Sequence, residues 1–125
     1  MSQWLIDIER EVKRANEAQR MRNAGRVRTA ARRIAGIAIG ELQRHTTQRF
    51  FGDDFIQALR AMAVRDSVPN SVAEAAKRLH AKLSSDFSSP SVDPLGDAMI
   101  IVEFVKSMLT ESKKASTLRR MQGKE

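Results

Sequence analysis

The fold is decided by residues 23–42, NAGRVRTAARRIAGIAIGEL, which predict one long helix with a continuous apolar stripe. The preceding segment, from Trp4 to Ala18, has the same spacing, with charged residues in its gaps. Asn23 could cap the second helix, or one continuous helix could run through it. We favour a break near Asn23 to Gly25, which gives an antiparallel hairpin of two helices. In the long helix, apolar side chains recur every three or four positions: Val27, Ala30, Ala31, Ile34, Ala35, Ile37, Ala38 and Leu42.

Three more helices are predicted further along the chain. Gly52-Asp53-Asp54 has the chemistry of a turn followed by an N-cap, and it opens a helix to about Arg65. Ser71-Val72-Ala73-Glu74 matches a capping box, and a serine-rich loop follows over residues 84–92. Asp93-Pro94 opens the last helix, which is apolar on more than one face. We expect that helix to be central or to contact a partner.

Length and composition support one helical domain. The chain has 125 residues, of which 42% are hydrophobic and 30% charged, with six Gly and three Pro. That is enough chain for one core and too little turn chemistry for a many-stranded sheet. We predict an all-α, up-and-down bundle of about five helices in residues 1–111, with a long antiparallel N-terminal pair. Residues 112–125 are predicted to be a basic, disordered tail.

Arginine is concentrated between positions 20 and 33, where the sequence has no acidic residue. At about 100° per residue, the arginines fall on two opposite edges of the predicted helix, with the apolar stripe between them. One edge holds Arg22, Arg26, Arg33 and Arg44, and the other holds Arg28 and Arg32. The planar guanidinium group suits phosphate better than an ammonium group does. The pattern therefore predicts a site for an anion, RNA or a nucleotide, formed by Arg22, Arg26, Arg28, Arg32 and Arg33.

A simpler interpretation of the same arginines is an ordinary solvated helix surface. Arg is a good helix former whose stem covers apolar surface while its charge stays in water. Some of these residues could pair with acids of the preceding helix, namely Asp7, Glu11 or Glu17. In that case the chain is a structural interaction module without a nucleic-acid role, and its apolar last helix docks a protein partner.

The residues offer little for catalysis or metal binding. The chain has no Cys and two His, which excludes thiolate chemistry and zinc sites built on Cys. We find no Gly-rich phosphate loop and no nucleophile elbow, and we expect no enzyme, no metal and no cofactor. An enzyme using Arg78, His80 and Asp86 is a third possibility that no spacing supports. With no Tyr for base stacking, nucleic-acid binding would be mainly electrostatic.

Small residues and the chain's opening residues bear on partners and location. Gly36 and Gly40, amid several Ala, allow helices to approach closely, either within the bundle or across a dimer interface. We expect a homo-oligomer, most simply a dimer. Acidic residues near the start argue against a signal peptide, and the apolar stretch 98–105 is too short to span a bilayer. We therefore expect a cytoplasmic protein with no membrane contact.

Residues 23–39, NAGRVRTAARRIAGIAI, followed by a short amphipathic helix and a Pro-initiated one at Val68 to Leu83, resemble the small bacterial helical bundles of the HEPN type. The resemblance implies a dimer that either cuts RNA or supports a nucleotidyltransferase partner. Ribonuclease members carry an Arg four to six residues before a His on one helix, and neither His45 nor His80 has one. The resemblance thus implies a non-cleaving module that binds RNA, a nucleotide or a nucleotidyltransferase with its substrate.

Overall fold

The computed structural model describes residues 2–45, 68–81 and 92–122. Within these ranges the chain is helical and contains no strand, so the all-α class is confirmed. The helix predicted from Gly52 to Arg65 lies outside the described residues. The described part therefore has four helices, against the prediction of about five: α1 (Gln3–Arg20), α2 (Ala24–Arg44), α3 (Asn70–His80) and α4 (Pro94–Gln122).

The core is centred on α2. This helix packs against α1, α3 and α4, whereas α4 packs mainly against α2 and α3, and α1 mainly against α2. The central position predicted for the last helix therefore belongs to α2. Its alanines explain why: Ala31, Ala35 and Ala38 are fully buried and have little bulk, so neighbouring helices can approach closely. The largest fully buried side chains of the core come from α2 and α4: Ile34, Ile39, Ile101, Val102 and Val105.

A three-residue turn joins α1 to α2 and satisfies the backbone groups at both helix ends. The N–H of Arg22 donates to Gln19 O at 3.0 Å and the N–H of Asn23 donates to Ala18 O at 2.8 Å, which is the Schellman arrangement. Arg22 has φ 55°, a left-handed conformation that glycine adopts at lower cost. Asn23 Oδ1 then accepts from the N–H of Arg26 at 3.2 Å. The predicted break near Asn23 is confirmed, with Asn23 as the N-cap.

The starts of α3 and α4 test two capping predictions. Helix α3 begins at Asn70, and Pro69 O accepts from the N–H groups of Val72 and Ala73 at 3.0 and 2.9 Å. The capping box predicted at Ser71 is wrong, because Ser71 already lies inside the helix. At α4 the prediction is confirmed: the Asp93 carboxylate accepts from the N–H of Gly96 at 3.0 Å.

Helix α4 is longer than its apolar stripe. The sequence predicts a disordered tail from residue 112, but the backbone is helical to Gln122. The segment 111–122, ESKKASTLRRMQ, is rich in Lys, Arg, Ala, Leu, Met and Gln, all of which have high helix propensity. The predicted boundary at 111/112 therefore falls inside the helix.

Candidate anion-binding surface

A groove of about 440 Å³ runs between α1 and α2. We call it the α1–α2 groove. Helix α1 and the turn after it contribute three charged residues at one-turn spacing and two apolar residues. Helix α2 contributes two arginines seven positions apart and two small residues between them. Its lining consists of Glu11, Arg14, Glu17, Ala18, Met21, Arg26, Thr29, Ala30 and Arg33.

The three arginines of the α1–α2 groove remain accessible to solvent. The Arg14 side chain is 63% exposed, and its Nη1 donates to Glu11 Oε1 at 2.7 Å. The Arg33 side chain is 49% exposed, and its Nη1 lies 4.0 Å from Glu11 Oε2, which is too long for a hydrogen bond. Arg26 is exposed and forms no ion pair with any described residue. All three guanidinium groups can therefore meet an incoming anion.

Arg32 has a different environment, although it is the immediate neighbour of Arg33. Its Nε donates to Leu79 O at 2.7 Å and its Nη2 donates to Ala81 O at 3.2 Å. These carbonyls belong to the end of α3, where backbone oxygens lack helical partners and a positive charge is favourable. Burial, and secondly the positive charge of Arg28, lower the pKa of Arg32. Arg32 therefore links α2 to the end of α3 through these two hydrogen bonds, and its guanidinium group is not available to bind a ligand.

The five arginines predicted to form one site are thus divided. Arg26 and Arg33 both line the α1–α2 groove, whereas Arg22 is exposed and follows Met21, the last lining residue on the α1 side, without lining the groove itself. Arg28 is half-buried on the other edge of α2, beside Arg32. The division follows the two edges that helical spacing predicts, and the edge with Arg26 and Arg33 is the one that lines the α1–α2 groove.

Two residues of the α1–α2 groove were missed by the sequence analysis. Arg14 was not selected because acids surround it in α1, and Glu11 was considered only as a partner for arginine. The sequence does contain a signal for Glu11, because it lies at the apolar spacing Ile8, Glu11, Ala15, Ala18. A carboxylate at a core-facing position is unusual, and Glu11 is indeed only 8% exposed.

Arg78, one of the three residues considered for catalysis, has a structural contact in the described part of the chain. Arg78 donates to both carboxylate oxygens of Asp97, with Nη2 to Oδ1 at 2.7 Å and Nε to Oδ2 at 3.1 Å. Its hydrogen bond to the carboxylate of Asp97 raises the pKa of Arg78. His45 Nε2 lies 3.0 Å from Glu41 Oε1 in the last turn of α2. Asp86, the third member of the possible enzyme site, lies outside the described residues.

No family model, curated protein or solved structure matches this chain. In residues 2–45, 68–81 and 92–122 no three carboxylate or imidazole side chains are grouped so that they could hold a metal ion. None of the four described helices combines the length and apolar character needed to cross a membrane.

Proposed function

We propose that this chain is a non-catalytic binding module that holds phosphate groups of RNA at the α1–α2 groove. One observation carries the proposal: Arg14, Arg26 and Arg33 line this groove from two helices, and each of these side chains is exposed to solvent, Arg14 and Arg33 by about half or more. Guanidinium groups donate paired hydrogen bonds to phosphate oxygens. The ligand class is thus the one expected from the sequence, with Arg14 added to the binding surface and Arg28 and Arg32 removed from it.

The charge of the whole chain supports the same ligand. The formal net charge is +7, so the protein attracts polyanions from a distance.

Arg22, at φ 55°, lies at a position that glycine would occupy at lower conformational cost. Arg22 is exposed and directly follows Met21, which lines the α1–α2 groove, so its positive charge adds to the field near this surface.

The experiment is fluorescence anisotropy of a labelled single-stranded RNA oligomer at two salt concentrations. If three phosphate contacts are made, affinity should fall roughly 20-fold between about 50 and 200 mM salt, because bound counterions are released. The Arg26→Gln/Arg33→Gln variant should bind more weakly and lose two thirds of that salt dependence. The matched control is Arg10→Gln/Lys13→Gln, which removes two exposed charges of α1 that do not line the groove. Equal binding by the two variants would remove the proposal.

The resemblance to the HEPN-type bundles leads us to add a partner and a location to this proposal. A non-cleaving relative would act as a cytoplasmic dimer, or would support a nucleotidyltransferase by holding its nucleic-acid substrate. The up-and-down order of the complete bundle belongs to the same expectation. Co-purification of the tagged full-length chain with a nucleotidyltransferase in its host would support the partner role, and recovery of RNA alone would favour independent RNA binding.

A second candidate function is self-association through α4. Two apolar side chains on this helix, Ile100 and Met108, are each 38% exposed, and Phe104 lies between them at helical spacing. A dimer formed by this stripe would resist high salt. Sedimentation velocity at low and high salt tests it: a dimer that Ile100→Asp converts to a monomer supports this candidate, and a monomer at every concentration excludes it.

A further inference from the structure

Glu11 is the least satisfied charged group in the described part of the chain. Its side chain is 10% exposed, and its Oε1 accepts a hydrogen bond from Arg14 at 2.7 Å. Its Oε2 is shielded from solvent and accepts no hydrogen bond, since Arg33 Nη1 remains 4.0 Å away. A buried carboxylate oxygen without a donor is costly, and native proteins rarely retain one. Glu11 is one of the residues that line the groove where we propose that phosphate binds.

The α1–α2 groove therefore has two chemically different ends. Arg26 and Arg33 are seven positions apart, which separates them by about 10 Å along α2. The end at Arg26 presents a positive charge with no acidic partner among the described residues. The end at Arg33 also holds the buried carboxylate of Glu11, whose Oε2 lacks a hydrogen-bond donor that phosphate cannot supply. A simple anion satisfies only the first end.

We infer that the α1–α2 groove takes a guanine nucleotide, either free or at the end of an RNA chain, with its phosphate at Arg26 and its base N–H groups at Glu11. This inference rests on the proposed function, because it uses Arg26, one of the three groove arginines, to hold the phosphate. An extended nucleotide reaches from its phosphate to the far edge of its base over a separation of this size. The groove volume of about 440 Å³ leaves room for one such ligand.

Guanine is preferred over the other bases because of its Watson–Crick edge. It presents two adjacent donors, N1–H and the N2 amino group, which match the two oxygens of one carboxylate. Adenine and cytosine place a ring nitrogen acceptor beside their amino group, and uracil places carbonyl oxygens on both sides of N3–H. Each of these acceptors would face a carboxylate oxygen and be repelled. Arg14 and Arg33 are each about half exposed or more, so their side chains can shift to admit the base.

The test is isothermal titration of the full chain with guanosine 5′-monophosphate, adenosine 5′-monophosphate and ribose 5-phosphate. Guanosine monophosphate should bind about tenfold or more tightly than the other two, since a paired set of base hydrogen bonds contributes at least that factor. In Glu11→Gln this preference should disappear while ribose 5-phosphate binds as well as before or better, because one negative charge has been removed. The matched control is Glu17→Gln, an exposed acid in the same groove, which should keep the preference.

The outcomes separate this inference from the proposed function. Equal affinity for the three ligands in the unaltered protein overturns the inference without any variant, even if Glu11→Gln fails to fold. A Glu11→Gln variant that weakens all three ligands equally also overturns it, because Glu11 would then only position Arg14 and Arg33. In both cases salt-dependent RNA binding that Arg26→Gln/Arg33→Gln reduces would leave the proposed function standing. A protein that binds neither RNA nor any of the three phosphates removes both.

Discussion

Arg32 and Arg33 are adjacent in the sequence and identical in chemistry, yet they lie on two edges of α2 with opposite properties. On the edge facing α3, Arg32 donates hydrogen bonds to Leu79 O and Ala81 O, and its charge compensates the end of a helix. On the edge facing α1, Arg33 is half exposed and only loosely paired with Glu11. The difference teaches that an arginine-rich helix can contain structural and ligand-facing residues in alternation. Variants on each edge can separate the two roles.

The largest effect is expected where α3 is attached to α4. Arg78→Ala removes both hydrogen bonds to Asp97, a residue that is only 7% exposed. Because the Arg78 side chain is 37% exposed, solvent screens part of this interaction, and its loss should lower the free energy of unfolding by about 2–3 kcal/mol. Urea denaturation followed by circular dichroism measures this change. RNA binding by the folded protein should stay unchanged, and a loss of binding in the absence of unfolding would contradict the division of roles.

Arg32→Ala should have the next largest effect on stability and no direct effect on ligand. It removes two hydrogen bonds from a charged donor to the end of α3, which should cost about 2 kcal/mol. Arg33→Ala is the matched variant one residue away, and it should change stability by less than about 0.5 kcal/mol. RNA binding should show the reverse order, with Arg33→Ala the weaker binder. If both variants are equally stable, the hydrogen bonds of Arg32 to the end of α3 do not contribute to the stability of the fold as we expect.

Arg22→Gly should raise stability and lower affinity together. Glycine relieves the left-handed conformation at φ 55°, which should add about 1 kcal/mol to the free energy of unfolding. The same change removes an exposed positive charge next to Met21, which lines the α1–α2 groove, so RNA should bind more weakly. A thermal melt and an anisotropy titration on one preparation give both quantities. Arg22→Asn is the control, because Asn also tolerates this conformation and also removes the charge.

Gly40→Ala should give the smallest gain, about 0.5–1 kcal/mol. A Cβ at this position meets no atom of the described residues within 4 Å, so alanine adds helix propensity without a clash. The sequence suggested that Gly36 and Gly40 together allow close helix packing, and only Gly36 is buried. A Gly40→Ala variant that is destabilised, or that loses a dimer seen in the unaltered protein, would show that position 40 is covered by another surface.

The sequence was most informative where the deciding interaction is local. The Asn23 cap, the break after α1 and the start of α4 at Asp93-Pro94 each depend on residues within one helical turn. Helical spacing also separated the two arginine edges correctly. Such features can be predicted because backbone geometry brings the interacting groups together whatever the rest of the chain does.

The contacts of individual arginines could not be predicted because they depend on residues that are far away in the sequence. Arg32 bonds to carbonyls 47 and 49 positions away. Whether they are within its reach depends on how α3 packs against α2 and α4. The capping box predicted at Ser71 was also wrong, because α3 begins at Asn70 with Pro69 as its N-cap, which places Ser71 inside the helix. Glu11 could have been recognised by its core-facing register, but its unpaired oxygen depends on the 4.0 Å separation from Arg33.

The packing order of the helices also has a consequence for amide hydrogen exchange. Because α2 contacts all three other described helices, its central amides should exchange only when the whole domain unfolds. Helix α1 packs mainly against α2, so it can detach while the remainder stays folded, and its amides should exchange faster. A ligand that bridges α1 and α2 closes that local opening. Slower exchange along α1, with α2 unchanged, would then report occupancy of the groove without any label on the ligand.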